Sequence, residues 1–435
     1  MSLCLLRPSL LLCLLLGLGT TAGCLGNEST GSDSLDDTET VASIALGHHW
    51  VLKSDGLTQG AQSLHATIGL PGRYQYAVVG VDQGPSEVLT RGADGSFAVD
   101  LPVAELAPGE HQVIVSSKSS GRLLGSALFE VSAPLYVVVS ADWDDSRFDD
   151  SYLARIEGLR AAHPGMKITQ FFGPYHYTDP ELTNARKEQL EAWVKAQRDD
   201  FGDEIGVHIH GWCHFINTTS VPCRTAETFY KDDGSGYTTI VAAYTEAEMK
   251  VILQASLDMF ELHGLGRPTS FRAGGWTADV KTMRAVASMG FVVESSAVPA
   301  YRLSDWQGYE LYDWTMAHWQ GITETSQPYY PLESNVAEAD PAKGLPLLEV
   351  PDNGVLVDYM TGLDMKQVYA QNHPNAGPLE KSTVYQVGFH PPSFSPAFMI
   401  YLDQALGEVD QHRFDRDAGP AVYVTLSELT AVWAL

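Results

Sequence analysis

The sequence predicts an α/β chain in which a small all-β unit precedes a distorted (β/α)7-8 barrel, and three observations lead there. Between about residues 43 and 131, short β-rich runs alternate with turn signals. From residue 134 onward, apolar strand-like runs alternate with amphipathic helical ones. No dinucleotide-type glycine motif follows the first of those runs, which favours a closed barrel over an open doubly wound sheet. A chain of 435 residues is long enough for two or three folded units, each with its own core.

Taken in order, Leu64-His65-Ala66-Thr67-Ile68, Tyr76-Ala77-Val78-Val79, Phe97-Ala98-Val99 and Val113-Ile114-Val115 read as strands. Pro71-Gly72, Asp94-Gly95 and Pro108-Gly109 separate them as turns. Residues 46–133 are thus expected to form an immunoglobulin-like β-sandwich, holding no cluster of chemically special residues and serving as a spacer, with glycan binding as the other reading. Residues 134–435 are expected to form the barrel. Leu135-Tyr136-Val137-Val138-Val139 is apolar throughout, as a strand covered on both faces must be. Thr245 and Glu248 form a capping box ahead of Met249, Ile252, Leu253, Leu257 and Phe260 on one helical face, and Gly264 supplies the stop. Further strands are expected at 168–172, 205–210, 269–272, 291–294, 347–350, 384–390 and 422–426, with helices around Leu190, over 280–287 and over 398–406.

Hydrophobic residues make up 44% and charged residues 19%, the balance of a globular protein rather than a disordered one. The 54 Asp and Glu against 27 Lys and Arg give a formal net charge of −27, which repels a polyanion and excludes nucleic acid as a partner. Neutral or cationic partners suit this field better.

At the N-terminus, Arg7 precedes a Leu-rich run over 10–18 that ends in small residues, the layout of a bacterial signal peptide spanning 1–23 and too short for a membrane span. Thr21-Ala22-Gly23-Cys24 resembles a lipobox, which implies lipidation of Cys24; plain secretion is the alternative. Leu25 in place of Asp, by resemblance to bacterial sorting rules, implies the outer membrane. Residues 24–45 are rich in Gly, Ser, Thr and Asp and read as a flexible tether, so a lipid anchor is the only membrane contact expected. With Cys4 and Cys13 in the signal, Cys213 and Cys223 remain. They are candidates for a disulfide in an oxidising compartment, or else two free thiols.

The chemistry gathers at the ends of the expected strands. Alternation along a continuing strand aims Asp142 and Asp144 one way and Asp145 the other, so two carboxylates share one mouth. In Val207-His208-Ile209-His210-Gly211-Trp212-Cys213-His214 the same rule aims His208 and His210 together, with His214 in reserve. Two imidazoles and a carboxylate are the usual ligands of an open zinc-type site, and a divalent cation also relieves the repulsion between neighbouring carboxylates. Arg272 and Trp276 flank a Gly pair, where an arginine can orient a carboxylate and a tryptophan can stack on a sugar. His390 ends a late strand against Pro391 and Pro392, placed for general acid work.

The order of these motifs over 135–435 resembles the polysaccharide deacetylase superfamily, the family 4 carbohydrate esterases. By that resemblance Asp142 is the catalytic base, Asp144 (or Asp145) a metal ligand, His208 a ligand in Glu204-Ile205-Gly206-x-His208, Arg272 the residue that tunes Asp142, and His390 the general acid. The family's second His falls four residues after the first, where this chain has Trp212; the sequence instead resembles a divergent His-x-His subgroup, which makes His210 the second ligand. Ala273 stands where the family has Pro, and Thr425-Leu426-Ser427-Glu428-Leu429 resembles its closing strand and helix start. The segments Asp313-Trp314 and Pro328-Tyr329-Tyr330 fall in a long insertion expected to shape substrate binding. The resemblance implies metal-assisted removal of acetyl groups, N-acetyl foremost, from a polysaccharide, with zinc as the metal. The alternatives are a hydrolase of the same fold acting on another amide or a glycosidic bond, and a non-catalytic glycan-binding or scaffold lipoprotein.

Overall fold

The computed structural model describes residues 41–434 apart from 232 and 341. The signal segment, Cys24 and the tether as far as residue 40 lie outside the described residues. The tether is shorter than expected, because β1 (Ser43–Leu46) is already a strand, with Ile44 and Leu46 packed on the apolar core of the β unit.

The β unit continues through β2 (Trp50–Leu52), β3 (Ser63–Gly69), β4 (Tyr76–Val81), β5 (Ser86–Thr90), β6 (Ser96–Pro102), β7 (Gly109–Ser116) and β8 (Leu123–Ser132). One antiparallel sheet has the order β1-β3-β6 and a second the order β2-β8-β7-β4-β5, with β2 parallel to β8. Period-two patterning produces this. In β6, Phe97, Val99 and Leu101 turn inward while Ala98 and Asp100 turn out, and residues of both sheets, among them Ile68, Val79, Val115 and Phe129, share one core.

The second part is built on an eight-stranded, all-parallel sheet: β9 (Leu135–Asp142), β10 (Ile168–Phe172), β11 (Glu204–Ile209), β12 (Ser270–Ala273), β13 (Val293–Glu294), β14 (Leu348–Glu349), β15 (Thr383–Phe389) and β16 (Ala421–Val424). Seven follow the order β14-β13-β12-β11-β10-β9-β15, and β16 pairs with the first half of β9. All eight residues of β9 are buried: Leu135, Val137 and Val139 enter one core, Tyr136 and Val138 another. The covering helices are α1 (Asp150–Ala162), α2 (Asn184–Phe201), α3 (Cys213–Ile216), α4 (Glu246–Leu262), α5 (Val280–Ser288), α6 (Glu310–His318), α7 (Gly362–Asn372) and α8 (Pro396–Asp410). Thr245 and Glu248 close the predicted capping box on α4, and Gly264 takes the left-handed conformation just past its end. None of the described helices is long and apolar enough to cross a membrane.

The sheet is curled rather than closed by paired strands, since β14 and β15 do not pair. Pro351 removes a ladder donor after β14, and the irregular stretch 352–357 fills the gap. Gly354 and Val357 donate to the carbonyls of Gln386 and Gly388, and the Asn353 side chain accepts from Gln386 N and donates to the carbonyl of Val384. This seam carries Asp352 and Asp358 to the mouth of the sheet.

Both parts belong to one compact unit, joined by polar contacts. Asp55 accepts from Tyr136 Oη (2.9 and 2.8 Å), Ser382 Oγ (2.7 Å) and the backbone N–H groups of Leu57 and Thr58, while Asp417 accepts from the backbone of His49 and Trp50. Replacing Asp55 with Ala removes the acceptor of Ser382 Oγ and of the Leu57 and Thr58 N–H groups and leaves Tyr136 Oη only Thr58. We predict a loss of about 2 kcal/mol in a urea titration, with metal binding unchanged; unchanged stability would show that the junction contributes nothing.

Candidate metal centre

β9 ends at Asp142, where Asp144 N turns back to the Asp142 carbonyl, so the strand alternation expected through Asp145 does not occur. Asp142, Asp144 and Asp145 all line one cavity of about 360 Å³, together with His208, His210 and His390. Asp142 faces Arg272, whose Nη1 donates to its two oxygens at 2.9 and 3.1 Å. Far from being a surface ion pair, Arg272 has a side chain that is 1% exposed. It also donates to Ser140 Oγ, Ser295 O and Ser295 Oγ and lies over the Phe171 ring.

Asp144 turns the other way. Its Oδ1 lies 3.1 Å from His208 Nε2 and 3.2 Å from His210 Nε2, and these three ligand atoms lie within 4.8 Å of one another. The Nδ1 atoms of the two histidines sit 3.0 Å from the Arg272 carbonyl and 2.9 Å from the Tyr237 carbonyl. A carbonyl only accepts, so each Nδ1 carries the proton and each Nε2 directs its lone pair at the carboxylate. His210 Nε2 is buried and makes no hydrogen bond. Lone pairs crowded onto an anion call for a cation between them, and the two spacings to Asp144 Oδ1 match the ~3.3 Å edge of a tetrahedron built on zinc-type bonds. The residues therefore fit a divalent metal. Burial alone would raise Asp144, but the charge of His390 above all holds it well below the usual carboxylate range.

His214 does not take part: its Nδ1 lies 2.9 Å from Thr178 Oγ1, and its ring packs by Trp212. Trp212, in the position of the family's second histidine, donates Nε1 to the Asp144 carbonyl. Asp145 accepts from Arg147 N, and burial raises its pKa. Gly274 is required by the centre, because a Cβ there would lie 2.6 to 2.8 Å from the His210 ring. Cys213 and Cys223 form a disulfide.

On the far side of the cavity His390 Nδ1 meets Asp358 Oδ2 at 2.9 Å, and its Nε2 lies 3.6 Å from Asp144 Oδ2. Burial lowers His390, but Asp144 and then Asp358 outweigh it and push it up to about 10. Asp358 itself is fixed by Ser393 Oγ. Trp276 lines the same cavity, is 3% exposed and donates Nε1 to Asp352. Asp352 lies 3.5 Å from Arg272; burial raises it to about 6 against the pull of that cation. Trp314, Tyr329 and Tyr330 point elsewhere: Trp314 stacks on His318, Tyr329 donates to Val336 O, and Tyr330 donates to Trp433 O. The aromatic wall comes instead from Phe229, Tyr230, Trp306 and Tyr359. Sequence reasoning missed Tyr237, Asp352 and Asp358. The seam aspartates lie in a stretch with no helical or strand period, and Tyr237 in a Gly/Ser-rich loop, so only the fold brings them in.

No family model and no curated protein matches the chain. Solved structures similar to it include a protein of Mycobacterium smegmatis assigned as a polysaccharide deacetylase (15% identity, 69% of this chain and 91% of that one, TM-score 0.41). A glycoside hydrolase/deacetylase assigned in Parabacteroides distasonis follows (11%, 69% and 70%, 0.41), as does the 4-alpha-glucanotransferase of Thermococcus litoralis (11%, 69% and 40%, 0.40).

Gly274→Ala should push the His210 ring out of line. We predict metal affinity lower by ~10–100-fold with the fold retained, read by chelator competition and thermal unfolding; wild-type affinity would disprove the crowding argument.

Proposed function

We propose that this chain is a metal-dependent hydrolase that removes acetyl groups, N-acetyl foremost, from an envelope or extracellular polysaccharide. One observation carries the reading: Asp142 held by Arg272, the Asp144–His208–His210 group and the His390–Asp358 pair all converge on a single cavity. These are a base, a Lewis-acid site and an acid. Asp144, His208 and His210 would hold a divalent metal, zinc by ligand type, which would polarise the acetyl carbonyl and lower the pKa of water. Asp142, oriented by Arg272, takes a proton as water attacks. His390, ion-paired through Nδ1 with Asp358, presents Nε2–H to the cavity and protonates the departing amine. The partly exposed rings of Tyr230, Trp306 and Tyr359 suit the apolar C–H face of a pyranose. The substrate class itself comes from the motif resemblance at Asp142, His208, Arg272 and His390. Lipidation at Cys24 and outer-membrane placement belong to the same proposal, with the β unit as an immunoglobulin-like spacer.

The test is acetate release from a panel of acetylated glycans beside metal content, using the chain from residue 41. We predict about one metal per chain, a ~10²–10⁴-fold fall in kcat for Asp142→Asn with metal retained, and loss of metal and activity together in His208→Ala. A wild type that binds glycan but neither holds metal nor releases acetate would replace the enzyme with a scaffold.

A pH profile tests the acid. Asp358 contributes to holding the His390 proton, so Asp358→Asn lowers the pKa of His390. The limb of kcat/KM where the acid deprotonates should then move to lower pH, with the other limb unmoved. An unshifted profile would remove His390 from the acid role.

A further inference from the structure

Tyr237 touches two of the three candidate ligands at once. Its phenol donates to Asp144 Oδ2 at 2.7 Å, and its carbonyl accepts from His210 Nδ1 at 2.9 Å. Its ring stacks with both His210 and Trp212, with centroids 4.5 and 4.8 Å away and each interplanar angle 29°. Asp144 is therefore divided: Oδ1 faces the two imidazoles and Oδ2 is taken by the phenol. A carboxylate so tied offers one oxygen instead of two, which keeps a coordination position open for water or substrate.

The loop bearing Tyr237 is seated on the disulfide. Gly236 has φ of +77°, and a Cβ there would lie 2.9 Å from Cys223 Sγ, 3.0 Å from Cys213 Sγ and 2.3 Å from the Gly211 carbonyl. Cys213 N donates to the Ser235 carbonyl at 2.7 Å, and Thr239 Oγ1 donates to the Arg224 carbonyl at 2.6 Å. The bridge thus holds both ends of the contact: Cys213 follows the His210-Gly211-Trp212 turn, and Cys223 backs the loop that returns Tyr237 to it.

We propose that Tyr237 is a positioning residue of the metal centre, holding Asp144 to a single inward oxygen and fixing the His210 tautomer, and that the Cys213–Cys223 bridge sets metal affinity through it. This rests on the metal-dependent reading above. It concerns binding before any substrate arrives, so it is tested without one.

Zinc affinity would be measured by competition with a chromogenic chelator, and coordination by the visible spectrum of the cobalt(II) form. The proteins are wild type, Tyr237→Phe, Cys213→Ser/Cys223→Ser and the triple variant, with thermal unfolding as the control for folding. Tyr237→Phe removes one hydroxyl and should weaken zinc by ~10–100-fold, with weaker cobalt bands as Asp144 becomes free to chelate. The Ser pair should weaken zinc too, and adding Tyr237→Phe to it should cost little more, since both changes act on one contact. Unchanged affinity and spectrum in Tyr237→Phe would overturn the proposal, and full additivity in the triple variant would overturn the role of the bridge. A wild type without metal would overturn this proposal and the hydrolase together. Metal binding that responds as expected without acetate release would support Tyr237 while removing only the hydrolase.

Discussion

Arg272 brings a full positive charge into a site where its side chain is 1% exposed, and much of the mouth is arranged around that fact. A buried guanidinium is tolerable only when its donors are filled and a carboxylate is close. Asp142 supplies the charge, while Ser140 and Ser295 fill donors from β9 and from the chain just after β13. The backbone carbonyl of the same residue takes Nδ1 of His208. One residue in the middle of the sheet therefore holds Asp142 with its side chain and sets the His208 tautomer with its main chain. Misplacing it would disturb both.

The parallel strands provide only part of the site. Asp142, His208 and Arg272 stand on strands, but Asp144, His210 and His390 come just beyond strand ends, and Asp352 and Asp358 arrive on the seam that stands in for a β14–β15 pairing. Parallel strands pointing the same way deliver their C-terminal ends to one mouth, which is why residues far apart in sequence meet there. The irregular segments then add what strands cannot: a carboxylate behind His390, a phenol on Asp144 and an aromatic wall.

What the sequence made legible follows from period and local chemistry. The unbroken apolar run of β9, the capping box at Thr245 and the alternation through His208 and His210 are short-range signals, and each is where the pattern put it. Period two alone could not say where a strand stops. That is why Asp144 and Asp145 both line the cavity although opposite sides were expected. Trp276 lines the cavity beside its Gly pair, with Nε1 held by Asp352, a partner the local sequence does not announce. Asp358 and Tyr237 carry no local signature, because their partners lie 32 and 93 residues away.

Charge at the mouth is organised in pairs rather than as a field. Asp142 is answered by Arg272 and both Asp358 and Asp144 by His390, while burial favours the neutral forms of Asp352 and Asp145. Among the described residues lining the cavity there is no Lys or Arg. An anionic ligand entering there would find each protein cation nearby already engaged. Under the proposed deacetylation a neutral acetylated sugar would need none, and the ammonium product would meet carboxylates instead of repulsion. The acidity of the whole chain, −27 by formal count, points the same way at long range. The local pairs and the global charge thus disfavour anions alike, one by leaving no anion site open and the other by turning anions away before they arrive.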